Sequence, residues 1–344
     1  MNRLEKMDPL WLLNHLHILD ISRNGKRPMF FSRYAGLGSH RYPVGFSGDT
    51  FITWESLDFQ PYFTVNATNA GYCWWSHDIG GHMYGYRDDE LTVRWMQFGV
   101  FSPINRLHST ASPFYGKEPW NLRPEARQIA GDWLRLRHAL FPYLYTMNHR
   151  THTQLLPLIQ PMYYLYPEKD DAYAGRNQYL FGSELIVCPI TRKNDPVSLM
   201  GEAEVWFPEG MWIDFFNGLI YRGDSMRRVH RSLAQMPVFA KAGAIIPMET
   251  GKTDNSLGRR GEMTLLIFPG ADNTFTLTED MGDGSVEPCV RTHCTLKWGD
   301  TPRLTVEAEG DFCILPAVEC RAGQCERSQY ADCNSDGTNY IFCI

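Results

Sequence analysis

The sequence has no long uncharged apolar run and no cluster of basic residues. Nowhere in its 344 residues is there a stretch of about 18 apolar positions, the length that a membrane-spanning helix needs. Lysine and arginine number 33 against 39 acidic residues, so the net charge is −6. A mildly acidic chain without basic runs gives no reason to expect nucleic acid or an anionic membrane as a partner. The sequence therefore predicts no nucleic-acid partner and no membrane partner, and it favours a neutral ligand.

The N-terminal stretch is a poor candidate for a secretion signal. The apolar stretch 9–19 is interrupted by Asn14, His15 and His17, and no small-residue cleavage site follows it. We therefore predict a cytoplasmic protein with reduced thiols.

Cysteine is scarce through most of the chain and concentrated at its end. Seven of the nine cysteines lie in the last 56 residues, namely Cys289, Cys294, Cys313, Cys320, Cys325, Cys333 and Cys343. Two pairs in this group have C-x4-C spacing, at the edge of zinc-ribbon spacing, but no ordered second pair follows them. Reduced thiols are the favoured interpretation, and a structural zinc site is the alternative.

Hydrophobic and aromatic residues are plentiful. Hydrophobic residues make up 43% of the chain and charged residues 21%, which predicts a globular protein with more than one domain. Aromatic residues make up 13%, with ten Trp and seventeen Tyr. Sugar-binding clefts use such flat neutral rings, and a large aromatic core explains the excess equally well.

Residues 1–168 alternate short apolar runs with amphipathic stretches, which is typical of βα units. The predicted strands are 28–32, 71–75 and 100–104, and the predicted helices are 54–67, 88–99 and 124–152 with a kink at Pro142. About four βα units fit in this segment, whereas a complete (β/α)8 barrel needs about 250 residues. The segment is therefore either a smaller fold or half of such a barrel.

The pattern changes near residue 170. Short β-rich runs separated by Gly, Pro, Asn and Asp predict antiparallel sandwiches. We divide this part into a proximal β-sandwich domain at 169–250 and a distal β-domain at 251–344, because 249–262 is polar and turn-rich. The tail from Glu319 shows no periodicity and is assigned no regular structure. The predicted fold class is α/β, with a partial (β/α)8 TIM barrel, its C-terminal half, followed by antiparallel β-sandwich domains.

Polar side chains follow three of the predicted strands, where barrel enzymes keep catalytic groups. Asp49 lies in a glycine-rich loop after the first strand. His77 and Asp78 follow the second strand, and Arg106 and His108 follow the third. Because the carboxyl ends of barrel strands meet on one face, we expect these groups to converge.

A purely structural interpretation is open for several of these residues. Ser47 or Asp49 can cap a helix that begins near Thr50. His77 and Asp78 can form a buried hydrogen bond that shapes a turn. A lone histidine is, in addition, more often structural than catalytic.

The combination of carboxylates, arginine, histidine and tryptophan suits glycoside hydrolysis. In that reaction one carboxylic acid protonates the leaving oxygen, and a second carboxylate attacks or activates water. The sequence has no HExxH-type metal motif, no phosphate loop and no nucleophile elbow. We therefore predict no metal and no cofactor.

A series of motifs runs in order through residues 7–284. They are Arg33, YPVGFSGDT (42–50) with Trp54, HDIGG (77–81), RLH (106–108), LRHALFPYLYTMNHR (136–150), PLIQPMYYLYP (157–167), QYLFGSELIVCPI (178–190), PEGMWIDFFNG (208–218) and VFAKAGAIIPM (238–248). Together they resemble glycoside hydrolase family 31, the family of α-glucosidases and α-xylosidases. The resemblance implies a (β/α)8 barrel followed by proximal and distal β-sandwich domains.

The resemblance also implies a role for each matched residue. Asp49, with Trp54 in a Gly-Asp-x-x-x-x-Trp pattern, is implied to be the general acid/base. Asp78 is implied to lie at the wall of the cleavage subsite. The full set of implied substrate-binding residues is Arg33, Phe46, Trp54, Asp78 and His108.

One carboxylate of the family is not matched. The family's nucleophile is an aspartate in a W-x-D motif on an earlier barrel strand, ahead of the region where this sequence begins. Asp8, Asp20 and Asp132 lie elsewhere and are poor substitutes. The resemblance therefore implies a retaining enzyme of the α-glucosidase type, with little activity in this chain alone.

The implied substrate is an α-linked oligosaccharide with a terminal glucose. An α-xylosidase is the alternative in substrate, and a non-catalytic carbohydrate-binding or subunit-interacting protein is the alternative in class. Because half of a barrel leaves strand edges unpaired, a homo-oligomer or a separate N-terminal half is a further expected partner.

Overall fold

A computed structural model describes most of the chain. It covers residues 8–25, 27–33, 37–42, 44–250, 262–280, 289–309, 317–321, 330–333 and 339–343. Among these residues, no helix has the length and apolar character needed to cross a membrane.

The first part of the chain is a short parallel sheet with helices around it. Its elements are α1 (Pro9–Ile21), β1 (Ser32–Arg33), β2 (Gly45–Phe46), β3 (Phe51–Ile52), α2 (Trp54–Asn66), β4 (Trp75–Ser76), β5 (Met83–Gly85), α3 (Asp89–Val100), α4 (Pro124–Ala139) and α5 (Phe141–Gln154). The sheet has the order β1-β2-β4, and a parallel bridge between Ile79 and Leu107 adds a fourth segment. These parallel positions confirm the predicted partial barrel.

Local caps explain why α2 and α3 begin close to the predicted positions. Asp88 caps α3 by accepting hydrogen bonds from two first-turn amides at 2.9 and 3.2 Å. Thr53 caps α2, and its Oγ1 accepts from the amide of Ser56 at 3.1 Å. The capping role considered for Ser47 or Asp49 was therefore wrong, because the helix begins several residues later than Thr50.

The predicted helix 124–152 is two helices in the structure. The first, α4, ends at Ala139, and α5 begins at Phe141. Pro142 lies in the first turn of α5, where a residue without an N–H breaks no helical hydrogen bond. The predicted kink is thus a full break between two helices.

The predicted strand 100–104 was wrong. These residues turn sharply after α3, with hydrogen bonds from the amides of residues 101 and 102 back to the last turn of the helix. Arg137 on α4 then donates to the carbonyls of Val100, Ser102 and Pro103 at 2.7–2.8 Å. Since these carbonyls are already paired, the fourth parallel position is taken by Leu107 instead.

An antiparallel sheet follows the helices directly. Its elements are β6 (Ile159–Pro161), α6 (Asp171–Ala174), β7 (Tyr179–Phe181), β8 (Leu185–Val187), β9 (Gly201–Phe207), β10 (Met211–Asp214), β11 (Ile220–Arg222), β12 (Ser225–Arg231) and β13 (Val238–Lys241). Six strands pair in the order β11-β10-β13-β8-β7-β6, and β9 pairs with β12 as a separate ribbon. Because β6 pairs with β7, the sheet begins at Ile159, ahead of the boundary drawn between 168 and 169.

Two further sheets complete the molecule. Their strands are β14 (Ile245–Thr250), β15 (Glu262–Ile267), β16 (Asn273–Asp280), β17 (Cys289–Lys297), β18 (Arg303–Ala308), β19 (Ala317–Cys320), β20 (Tyr330–Cys333) and β21 (Asn339–Cys343). The orders are β14-β15-β19 and β16-β17-β18-β21-β20. The first of these sheets spans the boundary drawn between 250 and 251, since β14 pairs with β15 along its whole length.

The tail after Glu319 contains regular structure, so the assignment of none was wrong. β20 and β21 pair with each other, and β21 also pairs with β18. The partner of β21 on its other side, β18, lies well before it in the chain, and a local pattern does not reveal it. The zinc alternative rests on the pairs Cys289/Cys294 and Cys320/Cys325, and the side chains of Cys289 and Cys325 lie outside the described residues.

The six-stranded sheet has a core on each face. Phe181, Leu185 and Val187 point to the side of α3, α4 and α5, within a core that continues into the distal sheets. Leu180 and Ile186 alternate with them and point to the opposite side, against the ribbon of β9 and β12. The parallel segment and both β-rich parts therefore share one continuous apolar core.

Buried polar side chains fix the parts against each other. Arg94 on α3 is buried and donates to the carbonyl of Gln235 at 2.6 Å and to Asn194 Oδ1 at 2.8 Å. Glu184 is buried after β7 and pairs with Lys241 at 3.1 Å, while its second oxygen accepts from Asn273 at 2.9 Å. The Arg94 contacts join α3 to the antiparallel part of the chain, and the Glu184 contacts join the six-stranded sheet to β16.

Candidate active site

The candidate site lies where the parallel strands end. Arg33 ends β1, the loop with Asp49 follows β2, and the loop with Asp78 follows β4. The segment with Arg106 and His108 lies beside that loop, because Ile79 N donates to Arg106 O at 3.3 Å and His108 N to Ile79 O at 3.5 Å. The structure thus brings together the groups that follow the predicted strands.

Asp78 and Arg106 form a buried ion pair at the base of the site. Arg106 Nη2 donates to Asp78 Oδ1 at 2.6 Å, and its Nε donates to Ser76 Oγ at 3.1 Å. Asp78 is completely buried, and this burial raises its carboxyl pKa against the opposing effect of Arg106. The guanidinium lies 4.9 Å from the ring centre of Phe31 and 4.8 Å from that of Phe46. Phe46 is therefore a buried ring beneath Arg106.

Two stacked histidines connect this ion pair to Asp49. The rings of His82 and His108 lie 4.6 Å apart at an angle of 24°. His82 Nε2 lies 3.9 Å from Asp49 Oδ2, and the Asp49 side chain is 50% exposed. Burial lowers the pKa of His108, and the charge of Arg106 lowers it further, against the opposing carboxylate of Asp78. His108 is therefore neutral near pH 7, while Asp49 stays open to an incoming molecule.

The turn that carries His82 explains how it reaches this position. Gly80 and Gly81 have φ of +91° and +79°, values that glycine adopts without strain. Gly81 N donates to Asp78 O at 2.9 Å, and His82 N donates to Thr50 O at 2.8 Å. The tight turn therefore joins the Asp78 loop to the Asp49 loop. His82 was not among the residues predicted from the sequence, although its position directly after two glycines in a candidate loop is a usable signal.

Arg33 packs over the turn that precedes Asp49. Gly48 has φ of +87°, and a Cβ at this position would collide with the Arg33 guanidinium. The same guanidinium carbon is 6.0 Å from the ring centre of Phe46. The positive φ favours glycine at position 48, and a side chain there would also displace the Arg33 guanidinium.

Trp54 lies at the start of α2, behind the Asp49 loop. Its indole Nε1 donates to Asp88 Oδ2 at 3.2 Å, and the side chain is partly buried against the main core. Asp88 also caps α3, so this bond ties the first turn of α2 to the first turn of α3. In this structure the N–H of Trp54 is used within the protein.

His77 has structural partners, but they differ from the one considered from sequence. Its Nδ1 accepts from Trp95 Nε1 at 3.1 Å, so its Nε2 carries the proton and donates to Ser102 Oγ at 2.9 Å. The ring stacks on Phe98 with centroids 4.4 Å apart. Complete burial lowers the His77 pKa to about 3. The proposed hydrogen bond between His77 and Asp78 was therefore wrong, because Asp78 pairs with Arg106.

Two family models match consecutive parts of the chain. The model described as the glycosyl hydrolases family 31 TIM-barrel domain matches residues 10–147, and the model of the glycosyl hydrolase family 31 C-terminal domain matches residues 155–246. Together they cover the parallel segment, its helices and the six-stranded sheet.

Curated relatives and solved structures agree with these matches. Alpha-glucosidase 2 of Bacillus thermoamyloliquefaciens is 28% identical over 84% of this chain and 36% of the relative. An alpha-xylosidase of Saccharolobus solfataricus is 29% identical over 75% of this chain and 35% of the relative. A Flavobacterium johnsoniae GH31 dextranase complexed with glucose superposes with a TM-score of 0.80 at 26% identity, over 93% of this chain and 46% of that chain.

The chain spans about a third of the length of the curated relatives that it matches. Both domain models, the order of the motifs and the superposition nevertheless assign it to the same family. The chain belongs to glycosyl hydrolase family 31.

Proposed function

We propose that this chain carries the acid/base side of the active site of a retaining glycosidase of the α-glucosidase type. Such an enzyme releases terminal α-linked glucose from oligosaccharides. The observation that carries the proposal is the convergence of Asp49, Asp78, His108 and Arg33 at the carboxyl ends of neighbouring parallel strands. The family assignment supports the same class of reaction.

Asp49 has the position that a general acid/base needs. Its carboxyl group is half exposed at the mouth of the site, so a glycosidic oxygen can approach it. In the first step Asp49 donates its proton to the leaving oxygen, and in the second step its carboxylate takes a proton from the attacking water.

The other side chains are suited to holding the sugar. The neutral imidazole of His108 offers an N–H to a sugar hydroxyl, and the guanidinium of Arg33 lies directly beside the Asp49 turn. Asp78 is fixed by Arg106, which leaves one carboxylate oxygen to accept from a hydroxyl group. Hydrogen bonds of this kind can strengthen as the ring approaches an oxocarbenium ion.

A retaining mechanism needs a second carboxylate as nucleophile. Asp78 does not suit this role, because it is buried in the ion pair with Arg106. We infer that the nucleophile lies on further parallel strands that complete the barrel beside β1, in the same polypeptide or in a separate one. By itself, the chain of residues 1–344 is then expected to turn over little substrate.

Two alternatives to this proposal have support of their own. The similarity to an alpha-xylosidase favours an α-xyloside as the second candidate substrate. A carbohydrate-binding role without catalysis fits the same sugar-holding groups. The cytoplasmic location stays a prediction.

Calorimetric titration with maltose and with an aryl α-xyloside tests the proposal. We expect the chain to bind maltose in preference, and His108→Ala to weaken this binding by about tenfold through the loss of a buried hydrogen bond. His230→Ala is the matched control, since His230 is an exposed histidine that also pairs with a carboxylate, Glu202, at 3.0 Å.

An aryl α-glucoside assay completes the test. Little turnover is expected, and a rate equal to that of a full-length family member would contradict the need for a second carboxylate outside this chain. Equal maltose binding by wild type and His108→Ala would contradict the assignment of the sugar site. A preference for the α-xyloside would replace the α-glucosidase type by the α-xylosidase type.

A further inference from the structure

Two exposed aromatic side chains follow Asp49 and the glycine turn, outside the groups assigned so far to the sugar. Phe51 is 56% exposed and Tyr84 is 65% exposed. Their ring centres are 5.6 Å apart, and the rings meet edge to face at 85°. Aromatic rings provide large contact areas in ligand sites, and most of the surface of these two is left uncovered by the described part of the chain.

Phe51 faces the same side of its segment as Asp49. Exposed and buried side chains alternate here, since Asp49 and Phe51 are exposed, whereas Thr50 Oγ1 and Ile52 are buried. Side chains two residues apart in an extended chain point to one face. The Phe51 ring and the Asp49 carboxyl group therefore border the same open space.

Tyr84 reaches Phe51 through a β-bulge. In the parallel pair of β3 and β5, Phe51 is opposite Met83. The next residue of β3, Ile52, is opposite Gly85, which leaves Tyr84 as the extra residue. Tyr84 has a φ of +48°, in the left-handed region that bulky side chains rarely adopt. Bulges beside active sites redirect side chains, and strained backbone of this kind is concentrated at such sites.

The loop of Tyr84 is fixed against the segment of Asp49. The amide of His82, two residues before Tyr84, donates to Thr50 O at 2.8 Å. The ring of the same histidine lies with Nε2 3.9 Å from Asp49 Oδ2. Both aromatic rings are thus arranged before a ligand arrives, so that packing against them costs little side-chain ordering.

From this arrangement we propose that Phe51 and Tyr84 bind the sugar unit that leaves, and that they make the site select α-linked oligosaccharides over glycosides with a small leaving group. The inference rests on the proposed function, in which Asp49 is the acid/base. Because Asp49 must contact the glycosidic oxygen, the cleaved unit lies towards Asp78 and the leaving unit lies on the open side of Asp49. There the C–H groups on one face of a glucose ring can pack on a flat aromatic ring.

Calorimetric titration of the full chain with glucose and with maltose tests the proposal. Glucose occupies only the sugar-holding groups, whereas maltose also reaches the two rings. We expect wild type to bind maltose more tightly than glucose, and Phe51→Ala and Tyr84→Gly each to lose about fivefold more affinity for maltose than for glucose. Tyr84→Gly keeps the bulge, because glycine adopts a positive φ without strain.

Two further variants complete the comparison. Tyr173→Ala is the matched control, since Tyr173 is 54% exposed and stacks on a neighbouring ring, Tyr163, in the antiparallel part. It should bind both sugars as wild type does. His108→Ala should weaken glucose and maltose binding alike, which reports on the sugar site of the proposed function.

The outcomes separate the two proposals. If wild type binds glucose but gains nothing from the second unit of maltose, or if Tyr173→Ala loses as much as the two ring variants, the role of Phe51 and Tyr84 is overturned and the sugar site stands. If wild type binds neither sugar, the proposed function fails, and the role of the two rings fails with it.

Saturation-transfer NMR with maltose provides a readout that needs no variant. We expect the ring protons of both glucose units to receive saturation from the wild-type protein. Saturation confined to the non-reducing unit overturns the proposal, even if a ring variant fails to fold.

Discussion

At the scale of single residues, the histidines of this region differ in whether their ring nitrogens are hydrogen-bonded within the protein. His77 uses both nitrogens in fixed hydrogen bonds, accepting from Trp95 and donating to Ser102. His82 and His108 stack on each other beside two carboxylates instead. The first arrangement allows one neutral tautomer, whereas the second leaves nitrogens available to a ligand.

His77 makes the stability of the protein dependent on pH. Its pKa is about 3 in the folded protein and about 6.5 in the unfolded chain, so the unfolded chain binds more protons between these values. Stability is therefore complete above pH 6.5 and is lost as the pH falls towards 3. Between pH 6 and pH 4 the wild type should lose on the order of 2 kcal/mol more than His77→Gln, which does not titrate.

Urea unfolding of both proteins across this pH range measures the difference. Carboxyl groups titrate in both proteins, so their effect cancels in the comparison. Identical pH dependence in wild type and His77→Gln would contradict the burial and hydrogen bonding described for this ring.

Part of the site was predictable from the sequence, because strand ends locate polar residues on a shared face. Asp49 and Asp78 converge for this reason, whereas Arg106 and His108 reach the same face through the isolated bridge between Ile79 and Leu107 and not through the predicted strand 100–104. His82 was missed, since only the left-handed turn at the two glycines before it directs it back towards Asp78. No sequence pattern reveals that Arg106 covers the ring of Phe46.

At the scale of elements, the first residue of a helix is predictable from the sequence where a capping side chain is present. α2 and α3 begin where Thr53 and Asp88 supply side-chain oxygens, and both were predicted to within one residue at their first turns. The strand expected at 100–104 failed because Arg137, far away in sequence, takes its carbonyl groups. β21 was missed because it is held in the sheet by β18, which lies well before it in the chain, and β20 pairs only with β21 among the described residues.

The cap of α2 gives a direct test at this scale. Thr53→Ala removes the oxygen that accepts from the Ser56 amide, and it should lower the free energy of unfolding by about 1 kcal/mol. Ser47→Ala is the control, because Ser47 makes only a 3.3 Å hydrogen bond to the adjacent Gly48 carbonyl. Its effect should stay below about 0.5 kcal/mol.

Chemical denaturation of wild type and of both variants measures how much each substitution lowers the free energy of unfolding. A larger loss in Ser47→Ala than in Thr53→Ala would restore the earlier interpretation, in which the Asp49 loop caps the helix.

At the scale of the whole molecule, the two edges of the parallel sheet differ, and β1 at one edge pairs only with β2 among the described residues. Helices α3, α4 and α5 share a core with the six-stranded sheet, which supports the site from behind. On the other side, α1 contacts β1 through a hydrogen bond from Ser32 Oγ to the buried Asn14, at 2.9 Å. Leu13, Leu16 and Leu19 of α1 are 51–54% exposed, and we call these three residues the α1 apolar face.

The α1 apolar face leads to a prediction about assembly. Exposed leucines spaced at three-residue intervals on one helix form a continuous apolar stripe, and burying it against another surface is favourable. We expect the isolated chain to self-associate through this stripe when no further barrel strands cover it. The triple variant Leu13→Lys, Leu16→Glu, Leu19→Lys should then be monomeric and still folded, because about half of each of these side chains is exposed in the folded chain.

Sedimentation velocity at several concentrations measures the effect. The matched control is a second triple variant, Val197→Lys, Leu219→Glu, Ile220→Lys, which changes residues 54–90% exposed on the antiparallel part. This control should associate as wild type does, because its three residues lie away from the parallel sheet. A monomeric wild type, or dissociation in the control to the same extent, would show that the α1 apolar face does not drive assembly of the isolated chain.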